Sequence, residues 1–307
     1  MRDAFVQELT LLAESDPDIV LITGDLGFGI FDDFSSRFPK QFLNVGVAEQ
    51  NLMMVSAGMA LAGKKIYAYS IGNFPTQRCL EQIRNDICYH DLNVTIIGMG
   101  GGFSYGQLGM SHHATEDISI IRALPNIRVV APTSSFEVRE IMKSLYNFNG
   151  PTYLRLDKSQ NRNYPESISF DFEKANILRE GAAVSLICTG GIMEEVIHAA
   201  DELSVEGIHC RVISMHTIKP IDKNTIKLAS EETGGIISIE ENTIIGGLGS
   251  AIAECCLESD CRPKFFKRVG LKDCYSSIVG DQKYLRSYYD MDSESIKKIV
   301  KKQIFNY

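Results

Sequence analysis

The feature that most constrains the fold is the alternation of short apolar runs with longer helix-like runs along the whole chain. Runs such as residues 19–23 and 94–97 are bounded by turn residues, which is typical of buried strands. Segments such as residues 49–62 and 136–146 lie between the strand-like runs and predict helices. Parallel strands need a crossover connection, usually a helix, so this order predicts an α/β fold of parallel sheets covered by helices.

The alternation is interrupted once, and the interruption divides the chain into two α/β modules. Residues 157–173 are polar and have no sustained periodicity, which is typical of a linker. A strand-like run, a glycine turn and an amphipathic helix restart the pattern at residues 182–203. We therefore expect a first domain, a linker and a second domain at residues 1–160, 161–177 and 178–307, respectively.

Composition and charge argue against several classes of protein. The net charge of −8 argues against nucleic acid as the main partner. No apolar run reaches the roughly 18–20 residues that a membrane span needs, and the first residues lack the pattern of a signal peptide. Eight cysteines are scattered without a C-x-x-C pair, which favours a reduced protein of the cytoplasm.

Glu49 begins the most apolar of the predicted helices. The helix dipole favours a carboxylate in the first turn, so charge complementation alone would explain this residue. The apolar residues at 52–55 and 57–62, however, predict a helix that is buried on most of its sides. A carboxylate at the mouth of such a helix is partly desolvated, which suits proton transfer. The residues by themselves leave both roles open.

Two motifs frame this helix, VGVAEQ at residues 45–50 and AYSIGNF at residues 68–74. They resemble the pyrimidine-binding domain of the transketolase family, which includes deoxyxylulose-phosphate synthase and the β subunits of 2-oxo acid dehydrogenases. The resemblance implies thiamine diphosphate as cofactor, with Glu49 hydrogen-bonded to N1′ of its aminopyrimidine. In the family this contact promotes the tautomer that deprotonates the thiazolium C2, while the covalent chemistry belongs to the cofactor.

The same resemblance implies two further cofactor residues. Phe74 is the candidate for the aromatic residue that stacks on the aminopyrimidine, although core packing is the ordinary role of a phenylalanine. Aligning Gln77 and Arg78 with the family places Pro75, not Phe74, where the aromatic residue is expected. Asp25 matches an aspartate near the thiazolium, and forming a turn after the first strand would explain it equally well.

Adjacent histidines lie in the motif SHHATED at residues 111–117. A third ligand at a recognisable spacing is missing, which argues against a zinc site. The family has a histidine in this loop that reaches the reacting carbons of the substrate, and His112 matches it in register. An imidazole there can donate to a developing alkoxide or move a proton. We interpret His113 as a neighbour of the functional residue.

Arg2 and Lys158 match family positions that bind the phosphate of a sugar phosphate. Charge-assisted contacts are the expected way to hold such a group, although most single cations are solvated surface charges. Three other substrate positions differ from the family: Gly29, Gly100 and Leu108 stand where a serine, a histidine and an aspartate are usual. These changes predict a retained chemistry with an altered substrate pocket.

The second module resembles the transketolase C-terminal domain through SMHTIKPID at residues 214–222 and the glycine-rich segment at 246–250. In the family this domain serves mostly for dimerisation and as a scaffold. We therefore expect His216 to be structural.

A complete transketolase is about twice as long as this chain, and the resemblance leaves its diphosphate-binding domain unmatched. That domain is marked by a Gly-Asp-Gly motif that helps to hold a divalent cation. Neither Gly-Asp pair of this chain, at residues 24–25 and 280–281, is followed by glycine. We therefore expect a partner subunit that holds Mg²⁺ or Ca²⁺, a cofactor at the subunit interface and an α₂β₂ assembly.

Three functions follow from these observations, and the leading one is transfer of a two-carbon ketol unit from a ketose to an aldose. The first alternative is the β subunit of a 2-oxo acid dehydrogenase, but Arg2 and Lys158 suit anionic sugars better. The second is a scaffold subunit without catalysis, against which the presence of both Glu49 and His112 argues.

Overall fold

The computed structural model describes residues 1–158 and 169–305, which excludes residues 161–168 of the predicted linker. The helices are α1 (Arg2–Ser15), α2 (Asp32–Arg37), α3 (Glu49–Leu61), α4 (Asn73–Arg78), α5 (Leu80–Gln82), α6 (Asp117–Arg122), α7 (Ser135–Tyr146), α8 (Met193–Val205), α9 (Lys223–Glu232), α10 (Leu248–Glu258), α11 (Gln282–Tyr288) and α12 (Ser293–Phe305). The strands are β1 (Ile19–Thr23), β2 (Phe42–Asn44), β3 (Lys65–Ile71), β4 (Val94–Met99), β5 (Arg128–Val130), β6 (Thr152–Leu156), β7 (Asn176–Arg179), β8 (Ser185–Thr189), β9 (Arg211–Ser214), β10 (Thr217–Lys219), β11 (Ile236–Thr243) and β12 (Phe266–Leu271).

Two mostly parallel sheets form the frame of the molecule. In the described residues the first sheet has the strand order β10-β5-β6-β4-β3-β1-β2 and the second has the order β12-β11-β8-β9-β7. The pairs β10–β5 and β7–β9, one at an edge of each sheet, are antiparallel, and the other pairs are parallel. The predicted α/β class with two parallel-sheet modules is confirmed.

One strand of the second half belongs to the first sheet. β10 follows β9 in the chain, yet Thr217 pairs with Val130 and Lys219 pairs with Val129 of β5. Its three residues carry no local pattern that would have predicted a strand. Pairing with the exposed edge of β5 decides its conformation, because an edge strand offers unpaired backbone groups.

The central strands are buried on both faces, which explains their continuous apolar runs. In β1, Val20 and Ile22 pack into one core cluster, while Ile19 and Leu21 pack into the cluster on the opposite face of the sheet. The first of these clusters also contains residues of the second sheet, such as Ile187. The two modules therefore share part of their apolar core.

Helix α3 departs from the prediction that it is buried on most sides. Leu52 and Met53 are fully buried against the sheet, but Met54 and Leu61 are 49% and 67% exposed. The expectation was wrong because apolar composition indicates that a surface is buried in a contact. It does not indicate whether the contact is made within the same chain. In this chain α3 covers the sheet with one side and leaves an apolar side open.

Glu240 provides a test of how the second module responds to pH. Its buried carboxylate accepts hydrogen bonds from the backbone N–H groups of Leu248 (2.7 Å) and Gly249 (2.8 Å) at the start of α10. Burial raises the pKa of Glu240 from 4.5 to about 7. The folded state then binds this proton more tightly than the unfolded chain, so its contribution to stability falls as pH rises from about 4.5 to about 7.

We therefore expect the wild type to lose about 2–3 kcal/mol more unfolding free energy between pH 5 and pH 8 than the Glu240→Gln variant, which cannot titrate there. Urea unfolding of both proteins at several pH values measures this difference. Parallel stability curves for the two proteins would show that Glu240 does not titrate in this range.

Candidate functional site

The predicted site residues follow strands that end at one edge of the first sheet. The chain continues from β1 to β2 on one side and then returns to β3 on the other side of β1. In open α/β sheets, ligands bind outside the carboxyl ends of the strands at such a reversal. The residues carried by the segments after β1, β2, β3, β4 and β6 are Asp25, Glu49, Phe74, His112 and Lys158, respectively.

Glu49 is the first residue of α3, and only 3% of its surface is exposed. One of its oxygens, Oε2, accepts a hydrogen bond of 2.5 Å from Nη1 of Arg78. The Arg78 side chain is 52% exposed, so a buried carboxylate is paired with a cation that reaches solvent. In the sequence Arg78 served only to align the motif with the family, and no spacing marks this contact.

Two aromatic rings, those of Phe74 and His112, lie next to the Arg78 side chain and to each other, respectively. The guanidinium carbon of Arg78 lies 5.2 Å from the centroid of the Phe74 ring. The ring centroids of Phe74 and His112 are 5.3 Å apart, with the ring planes at 70°. Phe74 is partly exposed here, whereas Pro75 is buried. We call these four residues, Glu49, Arg78, Phe74 and His112, the carboxylate–aromatic cluster.

Asn73 joins the two segments that carry the aromatic part of this cluster. It begins α4, and its Nδ2 donates hydrogen bonds to the backbone oxygens of His113 (2.7 Å) and Ser111 (3.3 Å). The amide therefore holds the backbone oxygens of the two residues that flank His112. This contact links the loop that carries His112 to the start of α4, next to Phe74.

Asp25 is tied to the segment that leads to Glu49. It has a positive φ of 60°, and its backbone N–H donates to Oδ1 of Asn44 at 2.9 Å. Nδ2 of Asn44 in turn donates to Oδ1 of Asp25 at 3.1 Å, and Oδ1 of Asn44 also accepts from the N–H of Gly46 at 3.0 Å. Asn44, which no sequence motif singled out, thus connects the ends of β1 and β2.

The two predicted anion-binding residues share a cleft of about 470 Å³ at the ends of β4 and β6. Arg2 and Lys158 line this cleft together with a third cation, Arg139 of α7. Burial, followed by the nearby charge of Arg2, lowers the pKa of Lys158. Nζ of Lys158 lies 4.0 Å from the centroid of the Tyr105 ring. Arg139 was missed because a single arginine on a helix carries no signal of its own.

The glycine at position 100, where the resemblance predicted a histidine, has a steric explanation. Gly100 has a positive φ of 86°, and a Cβ atom added to it would lie 2.0 Å from the Tyr105 ring. A histidine therefore does not fit here unless Tyr105 moves. The aromatic ring occupies this space and carries the Lys158 ammonium on its face.

Neither a cluster of metal ligands nor a membrane-spanning helix is found in the described part of the chain. Within residues 1–158 and 169–305, no three His, Cys, Asp or Glu side chains converge as a set of metal ligands. Over the same ranges, no helix combines the length and the apolar character needed to cross a membrane.

Family models assign both modules. Residues 1–163 match the pyrimidine-binding domain of transketolase, and residues 173–296 match the transketolase C-terminal domain. The chain is 35% identical to one of the subunits of the apulose-4-phosphate transketolase of Phocaeicola vulgatus, over 97% of this chain and 95% of that protein. It is 34% identical to a putative transketolase C-terminal section of Methanocaldococcus jannaschii, over 99% and 96% of the two chains.

A third relative is the 6-deoxy-6-sulfo-D-fructose transketolase subunit SqwH of a Clostridium species, which is 35% identical over 96% of this chain and 92% of that protein. Among solved structures, a split-gene transketolase described as an inactive β4 tetramer superposes with a TM-score of 0.88 at 34% identity, covering 99% and 97% of the two chains.

The transketolase of Campylobacter jejuni shares the fold with a TM-score of 0.82 at 18% identity, and the match covers 97% of this chain but 46% of that one. The chain thus belongs to the transketolase family, in which it corresponds to the pyrimidine-binding and C-terminal domains.

Proposed function

We propose that this chain is one subunit of a split, thiamine diphosphate-dependent transketolase that transfers a two-carbon ketol unit from a ketose to an aldose. A partner subunit would supply the diphosphate-binding domain, so neither subunit is active alone. The observation that carries this proposal is the carboxylate–aromatic cluster, in which Glu49 and His112 lie on either side of Arg78 and Phe74.

The residues of the cluster fit the aminopyrimidine end of the cofactor. Glu49 places a buried carboxylate at the start of a helix, and Phe74 offers a partly exposed aromatic ring beside it. An aromatic ring can stack on a heterocycle, while a carboxylate can accept or give a proton at a ring nitrogen. When bound, thiamine diphosphate supplies the carbanion chemistry that ketol transfer requires.

Each residue of the cluster then has a definite task. Glu49 holds or moves the proton at the ring nitrogen N1′, and Arg78 balances the charge of this desolvated carboxylate. Phe74 orients the heterocycle by stacking. His112 donates a hydrogen bond to the substrate oxygen on which negative charge develops. Asp25, which follows β1, would help to hold the thiazolium part of the cofactor.

The exposed apolar side of α3 supports the proposal that a partner subunit binds here. Val47 is 75% exposed, and Met54 and Leu61 are exposed in the same segment, next to buried Glu49. Exposed apolar surface of this kind beside a site is typical of a protein interface. The occupant we propose is the diphosphate-binding subunit, which would hold Mg²⁺ or Ca²⁺ with the diphosphate, in a cytoplasmic α₂β₂ assembly.

The cleft at the ends of β4 and β6, whose lining has three cations beside Asp3 and Asp157, favours an anionic sugar as substrate. Arg2, Arg139 and Lys158 line one cleft, and charge-assisted hydrogen bonds from such residues hold phosphate or a similar anion. Two relatives are named for sugars with an anionic group, apulose 4-phosphate and 6-deoxy-6-sulfo-D-fructose. The cleft is therefore proposed to bind the charged terminus of the sugar.

The split arrangement predicts that the purified chain binds thiamine diphosphate weakly and has no transketolase activity. Adding the diphosphate-binding subunit with Mg²⁺ should tighten binding about 100-fold or more, since at least two charge-assisted contacts to the diphosphate are gained. Calorimetric titration of the cofactor measures the change. Met54→Asp should abolish the gain by disrupting the apolar side of α3, whereas Val205→Asp, at a 90% exposed position on α8, should not. Tight binding by the chain alone would contradict the split-enzyme proposal.

Glu49→Gln should lower kcat of the reconstituted complex by about 100-fold or more, because the amide cannot exchange a proton with the ring nitrogen. Steady-state kinetics with a ketose donor measures the loss. Glu81→Gln is the matched control, since Glu81 is exposed and lies close to Arg78 in the chain. If the Glu49 variant turns over at a near-normal rate, Glu49 has a structural role only.

Lys158→Gln should raise KM for a phosphorylated sugar more than it lowers kcat, because binding of the terminal anion is lost in ground state and transition state alike. Lys143→Gln, on the exposed side of α7, is the control and should leave KM unchanged. An unaltered KM in the Lys158 variant would exclude this lysine as an anion ligand.

A further inference from the structure

The loop that carries His112 is closed on itself and anchored to the second module. It runs from the end of β4 to the start of α6, and its ends are joined by a two-stranded bridge. In this bridge the N–H of Gly102 donates to the oxygen of Ala114 at 2.8 Å, and the N–H of Ala114 donates to the oxygen of Gly102 at 3.0 Å. The loop therefore has a fixed base, and its interior is available for contacts with the second module.

The entry of the loop is anchored through Phe103. Its backbone N–H donates a hydrogen bond of 2.6 Å to Oε1 of Glu241 in β11. Its ring is fully buried in the core cluster of the second module and stacks on Tyr289, with centroids 5.4 Å apart. Glu241 is held in turn by Arg286 of α11, whose Nη2 lies 2.6 Å from Oε2. One residue of the loop is thus a core residue of the second module.

The exit of the loop is anchored through His113, the residue next to His112. Nε2 of this buried ring lies 3.0 Å from the backbone oxygen of Gly106, and Nδ1 lies 2.7 Å from Oγ of Ser276. A carbonyl oxygen can only accept, so Nε2 carries the proton in the first contact. In the neutral ring Nδ1 then accepts a hydrogen bond from the Ser276 hydroxyl.

These contacts restrain the backbone on both sides of His112. Its neighbour His113 is fixed by a hydroxyl of the second module, by the loop backbone and by the edge of the Phe103 ring, at 5.4 Å. Asn73 holds the peptide oxygens on both sides. The His112 ring, by contrast, is partly exposed beside Phe74. The second module therefore anchors the residue next to this imidazole, although it does not contact the His112 ring itself in any described interaction.

We propose that Ser276 is a positioning residue of the active site, acting through His113 on His112. The second module is accordingly more than a scaffold, because its hydroxyl and its Glu241–Arg286 pair set the geometry of the loop. This inference rests on the proposed function only for the role of His112 in turnover. The anchoring of the loop stands on the contacts of this chain alone.

The first test uses the isolated chain and does not depend on enzymatic activity. Ser276→Ala removes the hydrogen bond to Nδ1, so amide hydrogen exchange in residues 104–114 should become about tenfold faster, the effect expected of one lost buried hydrogen bond. The imidazole NMR signals of His112, assigned with a His112→Gln variant, should shift because the ring moves relative to Phe74. Ser277→Ala, at an exposed hydroxyl one residue away, is the control and should change neither readout.

The second test uses the complex reconstituted with the diphosphate-binding subunit. Ser276→Ala should lower kcat about five- to tenfold and leave the affinity for thiamine diphosphate unchanged, since Glu49 and Phe74 are not disturbed. Ser276→Thr retains the hydroxyl and should restore most of the loss. A merely structural role would lower thermal stability and affect cofactor binding and kcat alike.

The outcomes separate the two proposals. Unchanged exchange and an unshifted His112 signal in Ser276→Ala would overturn the anchoring, whatever the activity. Faster exchange with an unchanged kcat would overturn the positioning role of Ser276. If the reconstituted wild type shows no ketol transfer, the proposed function fails, and the exchange and NMR results still decide whether the second module holds this loop.

Discussion

A fully buried arginine at the junction of the two modules is the interaction on which the rest of the structure depends. Arg155 of β6 pairs with Asp117 at 2.9 Å and donates to the backbone oxygens of Ala114 and Glu241. Removing one partner of a buried ion pair typically costs about 3–5 kcal/mol, because the remaining charge stays desolvated. Arg155 thereby fixes the end of the His112 loop, the start of α6 and strand β11 relative to one another.

The fold was predictable from the sequence for physical reasons, whereas the site residues were predicted from the resemblance to a family. Buried parallel strands must be apolar on both faces, so their runs can be recognised without knowledge of their neighbours. Strands of one sheet end at one edge, so residues that follow different strands are brought together. Glu49, Phe74 and His112 meet at this edge, and Arg2 shares a cleft with Lys158. Their roles in catalysis and binding remain predictions that this geometry supports.

The remaining parts depend on contacts between segments that are remote in the chain. Arg78 meets a carboxylate 29 positions away, and Glu241 meets the backbone of Phe103 across 138 positions. No local pattern predicts such pairs, because each residue taken alone cannot be distinguished from an ordinary surface or core residue. His113 was therefore interpreted as a neighbour of His112, although it is the anchored member of the pair. The open side of α3 escaped prediction for a different reason: composition does not say which chain covers an apolar surface.

Strand β10 has a consequence for how this architecture can be divided. A polar linker normally marks the place where a chain can be cut into independent pieces. Here residues 217–219 complete the edge of the first sheet. A cut at the linker would leave the backbone groups of β5 unpaired at this edge. It would also divide the core cluster that the two modules share. We therefore expect neither module to fold stably without the other, although each has its own sheet.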